Sequence, residues 1–278
     1  MQVESTDGVT VALHDMGGSG PPLLIAHATG FLAAPYQPLA DALQDDFHVF
    51  GIDFRAHGDS SRPTSGDLSW SGGGDDVLAV VDAIGGPVTG FGHSFGGAAL
   101  LIAERARPGT VRAAFLYEPI IPPSPLPDTF GRGDNPLAAS ARRRRPTFPS
   151  RADALARYAS RPPLGRLRAD ALFAYVQEGF ADLPDGMVTL KCRPEDEAGT
   201  FEAAGFLTTD DLAGLTLPVA VAKGARDDAG NMGPPRFVPA IVEALPNAEQ
   251  VTYAHLDHFG PFEDPDTIAE DVIRRTRA

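Results

Sequence analysis

From Val9 to about Tyr117 the chain alternates short β-branched runs with longer stretches of helical periodicity, and that alternation leaves few folds open. A helix between two strands carries the chain back to the edge it left, so the strands it joins run parallel. The pattern therefore predicts an α/β fold: a mostly parallel central sheet with helices on both faces. The runs Val9 to Leu13 and Leu23 to Ala26 flank Met16-Gly17-Gly18-Ser19-Gly20-Pro21-Pro22, turn chemistry that predicts a hairpin. A helix over Pro35 to Leu43, a strand over His48 to Phe54, a helix over Asp75 to Ile84 and a strand over Pro87 to Phe91 follow. The helix from Phe95 to about Arg107 places Ala98, Leu101 and Ile102 on one face, and Arg112 to Tyr117 reads as the sixth strand.

At Glu118 the character changes. Pro119, Pro122, Pro123, Pro125 and Pro127 continue neither strand nor helix and mark a departure from the sheet. Helical patterns near Ala152 to Ala159 and Ala169 to Phe180 follow, and the alternation resumes after about Thr208 with strands at Val219 to Lys223 and Gln250 to Ala254, a helix over Arg236 to Leu245 and a terminal helix from about Asp266. The chain thus divides into a core, 1–118 and 209–278, interrupted by an insert, 119–208, of a size that suits a small module rather than a second domain.

Composition narrows the function. With 23 basic against 37 acidic residues the formal charge is −14, which phosphate backbones and anionic membranes repel, so neither nucleic acid nor membrane is an expected partner. No apolar run reaches the roughly 18 residues of a membrane span, and the acidic, weakly apolar start does not read as a signal peptide. Cys192 is the lone cysteine, which excludes an intramolecular disulfide and fits a cytoplasmic protein. The positive charge is concentrated in the insert, where residues 141–170 carry nine arginines against Asp153 and Asp170.

The densest signal for chemistry is Gly92-His93-Ser94-Phe95-Gly96-Gly97, lodged between a strand and a helix. A serine on a turn that tight stands clear of the sheet at a helix N-terminus, and its small neighbours permit the close approach. A serine hydroxyl is a poor nucleophile alone and needs a base with an acid to orient it. Gly224-Ala225-Arg226-Asp227 follows one later strand and His255-Leu256-Asp257-His258 the next, and loops after parallel strands gather at the sheet's carboxyl end. Ser94, Asp227 and His258 stand in the order nucleophile, acid, base. His255 is a weaker candidate base because it lies at the strand, Asp228 adjoins Asp227, and Glu118, at the end of the sixth strand, is a second place for the acid.

With those residues in place, the chain resembles a serine-type α/β-hydrolase over its whole length outside the insert. Leu24-Ile25-Ala26-His27-Ala28-Thr29-Gly30-Phe31 is similar to that family's oxyanion-hole segment, with Ala28 where the family usually has glycine. Asp53-Phe54-Arg55-Ala56-His57-Gly58-Asp59-Ser60 resembles its loop after the next strand, and His258-Phe259-Gly260-Pro261 its histidine loop. The resemblance implies that the N–H groups of Thr29 and Phe95 form an oxyanion hole, that their side chains shape an acyl pocket, and that the insert is a helical cap over the nucleophile. Phe31, His27, His93 and Phe173 are candidate pocket residues, with Phe130, Phe148, Tyr175 and Phe180 as further aromatics of the cap, although His27 and His93 fit loop-orienting roles as well. His57, Asp53 and Asp59 read as scaffold, and Arg142 to Arg145 as a solvated run or an anion contact.

No metal-ligand spacing and no phosphate or dinucleotide loop is present in the sequence, so no cofactor or metal is expected. The expected function is cofactor-independent cleavage of a small or medium carboxylic ester through an acyl-enzyme, on a small-molecule substrate, with a homodimer left open. The same triad also serves carbon–carbon hydrolysis, perhydrolysis and hydroxynitrile lysis. A lyase of this fold calls for a cap lysine, for which Lys191 is the candidate. A receptor-like member with little turnover is the third reading.

Overall fold

In the computed structural model, which describes residues 1–125, 135–203, 205–226 and 233–277, the first half of the core runs β1 (Gln2–Glu4), β2 (Thr10–Gly17), β3 (Pro22–Ala26), α1 (Gln37–Leu43), β4 (His48–Asp53), α2 (Trp70–Ile84), β5 (Val88–His93), α3 (Phe95–Ala106) and β6 (Val111–Tyr117). The insert holds α4 (Pro136–Arg142), β7 (Thr147–Phe148), α5 (Arg151–Ala159), α6 (Ala169–Glu178), β8 (Phe180–Asp182), β9 (Val188–Leu190) and α7 (Pro194–Glu202). The core resumes with β10 (Val219–Gly224), α8 (Val238–Ala244), β11 (Ala248–Tyr253), α9 (Gly260–Glu263) and α10 (Pro265–Thr276).

Eight strands form one sheet in the order β1-β2-β4-β3-β5-β6-β10-β11. The β1–β2 and β2–β4 pairs are antiparallel and every other pair is parallel. The expected hairpin between the first two long strands does not form, because β4 lies between them. The glycine run serves another purpose: Gly18, at φ +86°, has no room for a side chain, since a Cβ there would sit 1.9 Å from the Phe47 carbonyl oxygen. The connection presses against the residues leading into β4, and His48 N–H bonds Pro21 O at 3.0 Å. Burial explains the preference, for Leu23 to Ala26 of β3 are wholly buried and a strand covered on both faces belongs inside a sheet.

The helix expected from Asp75 begins earlier, at Trp70. Gly72, Gly73 and Gly74 are poor helix formers, which hides that first turn from a propensity reading. Packing retains them: a Cβ on Gly73 would meet the Phe95 ring at 2.6 Å and one on Gly74 would meet Ile102 at 2.3 Å, so α3 side chains lie directly on the α2 backbone. Asp76 on α2 takes the Arg55 guanidinium through two hydrogen bonds of 2.8 and 3.0 Å, both side chains buried.

Two apolar layers cover the sheet. One, with Leu24, Phe54, Val77, Leu101 and Ile241, lies under α2, α3 and α8. The other joins Ile25, Phe91, Phe115 and Val272 to Leu172, Tyr175 and Phe180 of the insert, so the insert shares a core with the sheet. Besides the expected helices, the insert carries a three-stranded antiparallel sheet, β7-β9-β8; its strands are too short to show a period.

Ion pairs rim this junction: Arg62–Asp196 and Lys191–Asp59 at 2.6 Å, Arg166–Asp257 at 2.9 Å and Arg168–Asp266 at 3.1 Å. Each has a partner at least 40% exposed or, for the last, two partners open to water, so each contributes about 0.2–1 kcal/mol and is screened by salt. In about 1 M salt the Debye length falls to roughly 3 Å. Amide hydrogen exchange in 135–203 is therefore expected to speed up several-fold between low and high salt while the sheet strands stay unchanged. A flat profile would show that the apolar contacts alone hold the insert.

Candidate active site

β5 ends at His93, and Ser94 turns the chain at φ 55°, ψ −115° into α3. A non-glycine residue there is strained by about 1–3 kcal/mol, a cost that concentrates at functional sites. The turn closes because its neighbours lack side chains: a Cβ on Gly96 would lie 2.1 Å from the Ala26 carbonyl oxygen, and one on Gly92 would lie 2.5 Å from the Gly97 Cα. Ser94 N–H bonds Tyr117 O at 3.0 Å, which continues the β5–β6 ladder by one residue, and the serine is 8% exposed.

The next strand ends in the same way. Glu118 follows β6 at φ 46° and is wholly buried. Its N–H bonds Ala222 O at 2.8 Å. Its Oε1 accepts from Gly224 N–H at 2.8 Å, and its Oε2 lies 2.6 Å from His258 Nδ1. A bond donated from the ring to this carboxyl uses the Nδ1 proton, the tautomer that leaves the Nε2 lone pair free to accept. The His258 side chain is 25% exposed. Asp227, the expected acid, and Asp228 lie outside the described residues. His255 stands apart on the surface, 2.9 Å from Asp264.

The segment after β3 wraps the elbow. Ala28 N–H bonds the Tyr36 hydroxyl at 3.2 Å, Gly30 N–H bonds His57 Nε2 at 3.0 Å and Phe31 N–H bonds Ala28 O at 3.1 Å. Among the described residues, no hydrogen bond is made to the N–H of Thr29 or of Phe95. Both amides expected to face an oxyanion are thus without hydrogen-bond partners among the described residues.

The expected pocket residues separate. Phe31 is 8% exposed and stacks on Phe262, with ring centroids 4.7 Å apart and planes at 16°, beside Tyr175 at 5.2 Å. Phe173 is 53% exposed on the outer side of α6, whose buried residues are Ala171, Leu172, Tyr175 and Val176. Phe148 and Phe180 pack on each other inside the insert, and Phe130 lies outside the described residues. The Phe95 ring does not shape an acyl pocket, because it packs between Phe54 and Trp70 in the α2–α3 layer, at 4.8 and 5.1 Å.

His27 and His93 are wholly buried with both ring nitrogens engaged. His27 Nε2 accepts from Phe54 N–H at 3.0 Å, so its Nδ1 donates to Ala28 O at 2.7 Å. His57 repeats this, with Nε2 accepting from Gly30 and Nδ1 donating to Arg55 O at 2.9 Å. Burial drives all three imidazoles towards the neutral form: His27 falls to about 3, His57 is lowered, and His93 is well below its ordinary value.

His14, Asp53 and Asp59 offer three atoms within 4.8 Å of one another, a possible cation cluster. Hydrogen bonds already account for it: Asp53 accepts from Ala33 N–H at 2.8 Å and Asp59 N–H at 2.9 Å and pairs with His14 at 3.0 Å, while Asp59 pairs with Lys191. Three of the four residues of the arginine run are likewise engaged, and Arg143 is exposed. Arg142 bonds Glu195 and Glu202, Arg144 bonds Glu197 and the Tyr175 hydroxyl, and Arg145 bonds Thr147 O. Reading the sequence overlooked Tyr36 and Glu197, which touch this segment but carry no motif; Tyr175, expected as a cap aromatic, reaches Gly30 O through its hydroxyl.

A profile of the alpha/beta hydrolase family matches residues 11–271. The chain belongs to that family. It is 27% identical over 242 residues to the type I acyl-CoA thioesterase mpaH of Penicillium brevicompactum, 80% of this chain and 55% of that protein. It is 33% identical over 105 residues to protein phosphatase methylesterase 1 of Rattus norvegicus, 35% of this chain and 27% of that one. The chain thus spans about half or less of the length of these relatives. A thermophilic esterase from Thermogutta terrifontis superposes with a TM-score of 0.75 at 21% identity, covering 100% of this chain and 99% of the other. Among the described residues no helix is long and apolar enough to cross a membrane.

The neutral histidines set a pH dependence. A group whose pKa is lower folded than unfolded binds its proton only in the unfolded chain, so stability is complete above the unfolded value, near 6.5, and is lost as pH falls towards the folded one. For His27 the window runs from about 6.5 down to about 3, at up to about 1.4 kcal/mol per pH unit, with His57 and His93 adding in the same direction. His14, raised by its bond to Asp53, opposes them. The urea midpoint is expected to drop between pH 7.5 and 5, and less so in His27→Asn, which has no proton to gain. An unchanged midpoint would show that other groups compensate.

Proposed function

We propose that this protein is a cofactor-independent serine hydrolase that cleaves a small or medium carboxylic ester through an acyl-enzyme on Ser94, with His258 as base, Glu118 as the acid and the Thr29 and Phe95 N–H groups as oxyanion hole. The observation that carries this reading is the Glu118–His258 bond at the end of β6, next to the strained Ser94 at the end of the paired strand β5, together with two unpartnered amides. His258 Nε2, left with its lone pair, takes the Ser94 proton as Oγ attacks the carbonyl carbon. The negative charge that develops on the carbonyl oxygen is met by the two amides, each worth about 3 kcal/mol in the transition state. His258 then passes the proton to the departing alkoxide. A water enters, gives its proton to His258 and attacks the acyl carbon, and collapse of the second tetrahedral species returns the proton to Ser94 and frees the carboxylic acid. Glu118 keeps the imidazole in the Nδ1–H tautomer and stabilises the imidazolium that forms.

The position of Glu118 supports it over Asp227 as the acid. Residues 119–208 would act as the cap: Tyr175 donates to Gly30 O at 3.2 Å, beside the amide of Thr29, so the insert bears directly on the oxyanion segment. The lyase alternative loses its lysine, because Lys191 Nζ is held 2.6 Å from Asp59. Carbon–carbon hydrolysis and perhydrolysis would use the same groups and have no residue of their own to support them.

The test is labelling by a fluorophosphonate probe together with hydrolysis of p-nitrophenyl esters of increasing chain length. Wild type is expected to label and turn over, and Ser94→Ala to do neither. Glu118→Gln should lower kcat about 10³- to 10⁴-fold, as losing the tautomer-holding carboxylate does in such triads, while Asp227→Asn stays within about threefold. The opposite pair of results would move the acid to Asp227. A folded wild type inert to probe and esters alike would favour a receptor-like protein.

A further inference from the structure

The two ends of the proposed machinery are joined by one buried chain of hydrogen bonds. His258 O can only accept, so His93 Nε2, 2.8 Å away, carries the ring proton. His93 Nδ1 is then an acceptor, and its partner at 2.7 Å is the Tyr36 hydroxyl, which must donate. The same hydroxyl oxygen accepts the Ala28 N–H at 3.2 Å. Every bond therefore points one way: Ala28 N–H to Tyr36, Tyr36 O–H to His93, His93 N–H to the carbonyl of His258. Tyr36 and His93 are both wholly buried, where no water replaces a missing partner. Ala28 adjoins the Thr29 amide, and His258 is the proposed base.

We infer that Tyr36 and His93 are positioning residues, which hold the oxyanion segment and the His258 loop in mutual register through this relay. The inference rests on the serine hydrolase reading above. The aromatic body of Tyr36 packs on Phe262 at 4.5 Å and Phe91 at 6.2 Å, so Tyr36→Phe keeps the packing and removes only the hydroxyl, orphaning a donor at one end and an acceptor at the other. His93→Asn keeps an acceptor near the Nδ1 position and loses the bond to His258. His93→Gln reaches far enough to donate to His258 O.

The three variants and the Tyr36→Phe/His93→Asn double variant are measured for kcat and KM on p-nitrophenyl acetate and for the rate of fluorophosphonate labelling, with the melting temperature followed in parallel. Tyr36→Phe is expected to lower kcat and the labelling rate about ten- to hundredfold, the range for an unmet buried polar group, with KM within about threefold. His93→Gln should retain more activity than His93→Asn, and the double variant should fall no further than the worse single one, since both act through one chain. A Tyr36→Phe enzyme within about twofold of wild type, additive losses, or equal losses in the Gln and Asn variants would overturn the inference while the wild type stays active. Should Tyr36→Phe fail to fold, the Gln-against-Asn order still decides it. An inert wild type would instead sink the hydrolase reading on which the inference rests.

Discussion

A fully buried carboxylate must find partners, and the ones Glu118 finds tie three strand ends together. Its backbone N–H reaches Ala222 O on β10, one oxygen takes the Gly224 N–H at the end of β10, and the other takes the His258 ring beyond β11. Taking a carboxylate out of water costs several kcal/mol unless hydrogen bonds replace the hydration. The bonds that meet this cost also fix where the histidine loop lies. Tyr117, one residue earlier, adds a bond from its hydroxyl to Asp257 O at 2.7 Å, and its hydroxyl oxygen comes so close to Gly260 that a Cβ there would sit 2.2 Å away. The loop is thus moulded on the end of β6, and Asp257 is held from outside by Arg226 and Arg166.

Most of the sheet was legible because its strands and helices announce themselves by period. What escaped was decided by partners distant in sequence. The hairpin failed because local turn chemistry at Gly17 to Gly20 says that the chain bends but not which strand fills the space beside it. The start of α2 was hidden because three glycines lower helix propensity, while the benefit of small residues appears only where α3 presses on them. At the site, the tight turn at Ser94 between β5 and α3 was readable from motif and placement. The partner of His258 was less so: the family resemblance favoured Asp227, which lies outside the described residues, whereas Glu118, which bonds His258, is marked in sequence only by its place between the end of a strand and a run of prolines. Phe95 and Phe173 were misjudged for a common reason, since sequence position on an element does not say which way a side chain faces once neighbours compete for the same space.

The excess positive charge of 141–170 suggested a basic face. Its arginines instead hold the insert together and to the core. Arg142 and Arg144 join α4 to α7 through Glu195, Glu202 and Glu197, and Arg151 reaches Asp182 on β8. Arginine suits this because its planar fork satisfies two acceptors at once. The surface pairs contribute little each, but Arg144 differs: it is largely covered, bonded to Tyr175 at 2.5 Å and to Glu197, over Gly30. Gly30 sits at φ +79°, a conformation that strains other residues, and a Cβ there would also crowd the Glu197 carboxylate at 2.6 Å. The insert therefore meets residues 27–31 through the Tyr175 hydroxyl on Gly30 O, with its own Arg144–Glu197 pair lying over Gly30, rather than through apolar packing alone.

The two strained residues arise from one feature of the sheet. In the β5–β6 ladder His93 is opposite Tyr117, and pairing continues one residue beyond each strand, with Ser94 N–H on Tyr117 O and Glu118 N–H on Ala222 O. Those bonds hold the backbone in the sheet direction up to the residue where it must turn away, Ser94 into α3 and Glu118 into the prolines of the insert. Held at one side and diverted at the other, both residues take positive φ. The strain is sustained because the flanking strands are buried and fully paired, so relaxing either turn would break a ladder bond in a place water does not reach. Rigid parallel strands thus supply what a loop alone would not: two polar side chains thrown off adjacent strand ends at the same edge, each with its backbone already fixed before any substrate arrives.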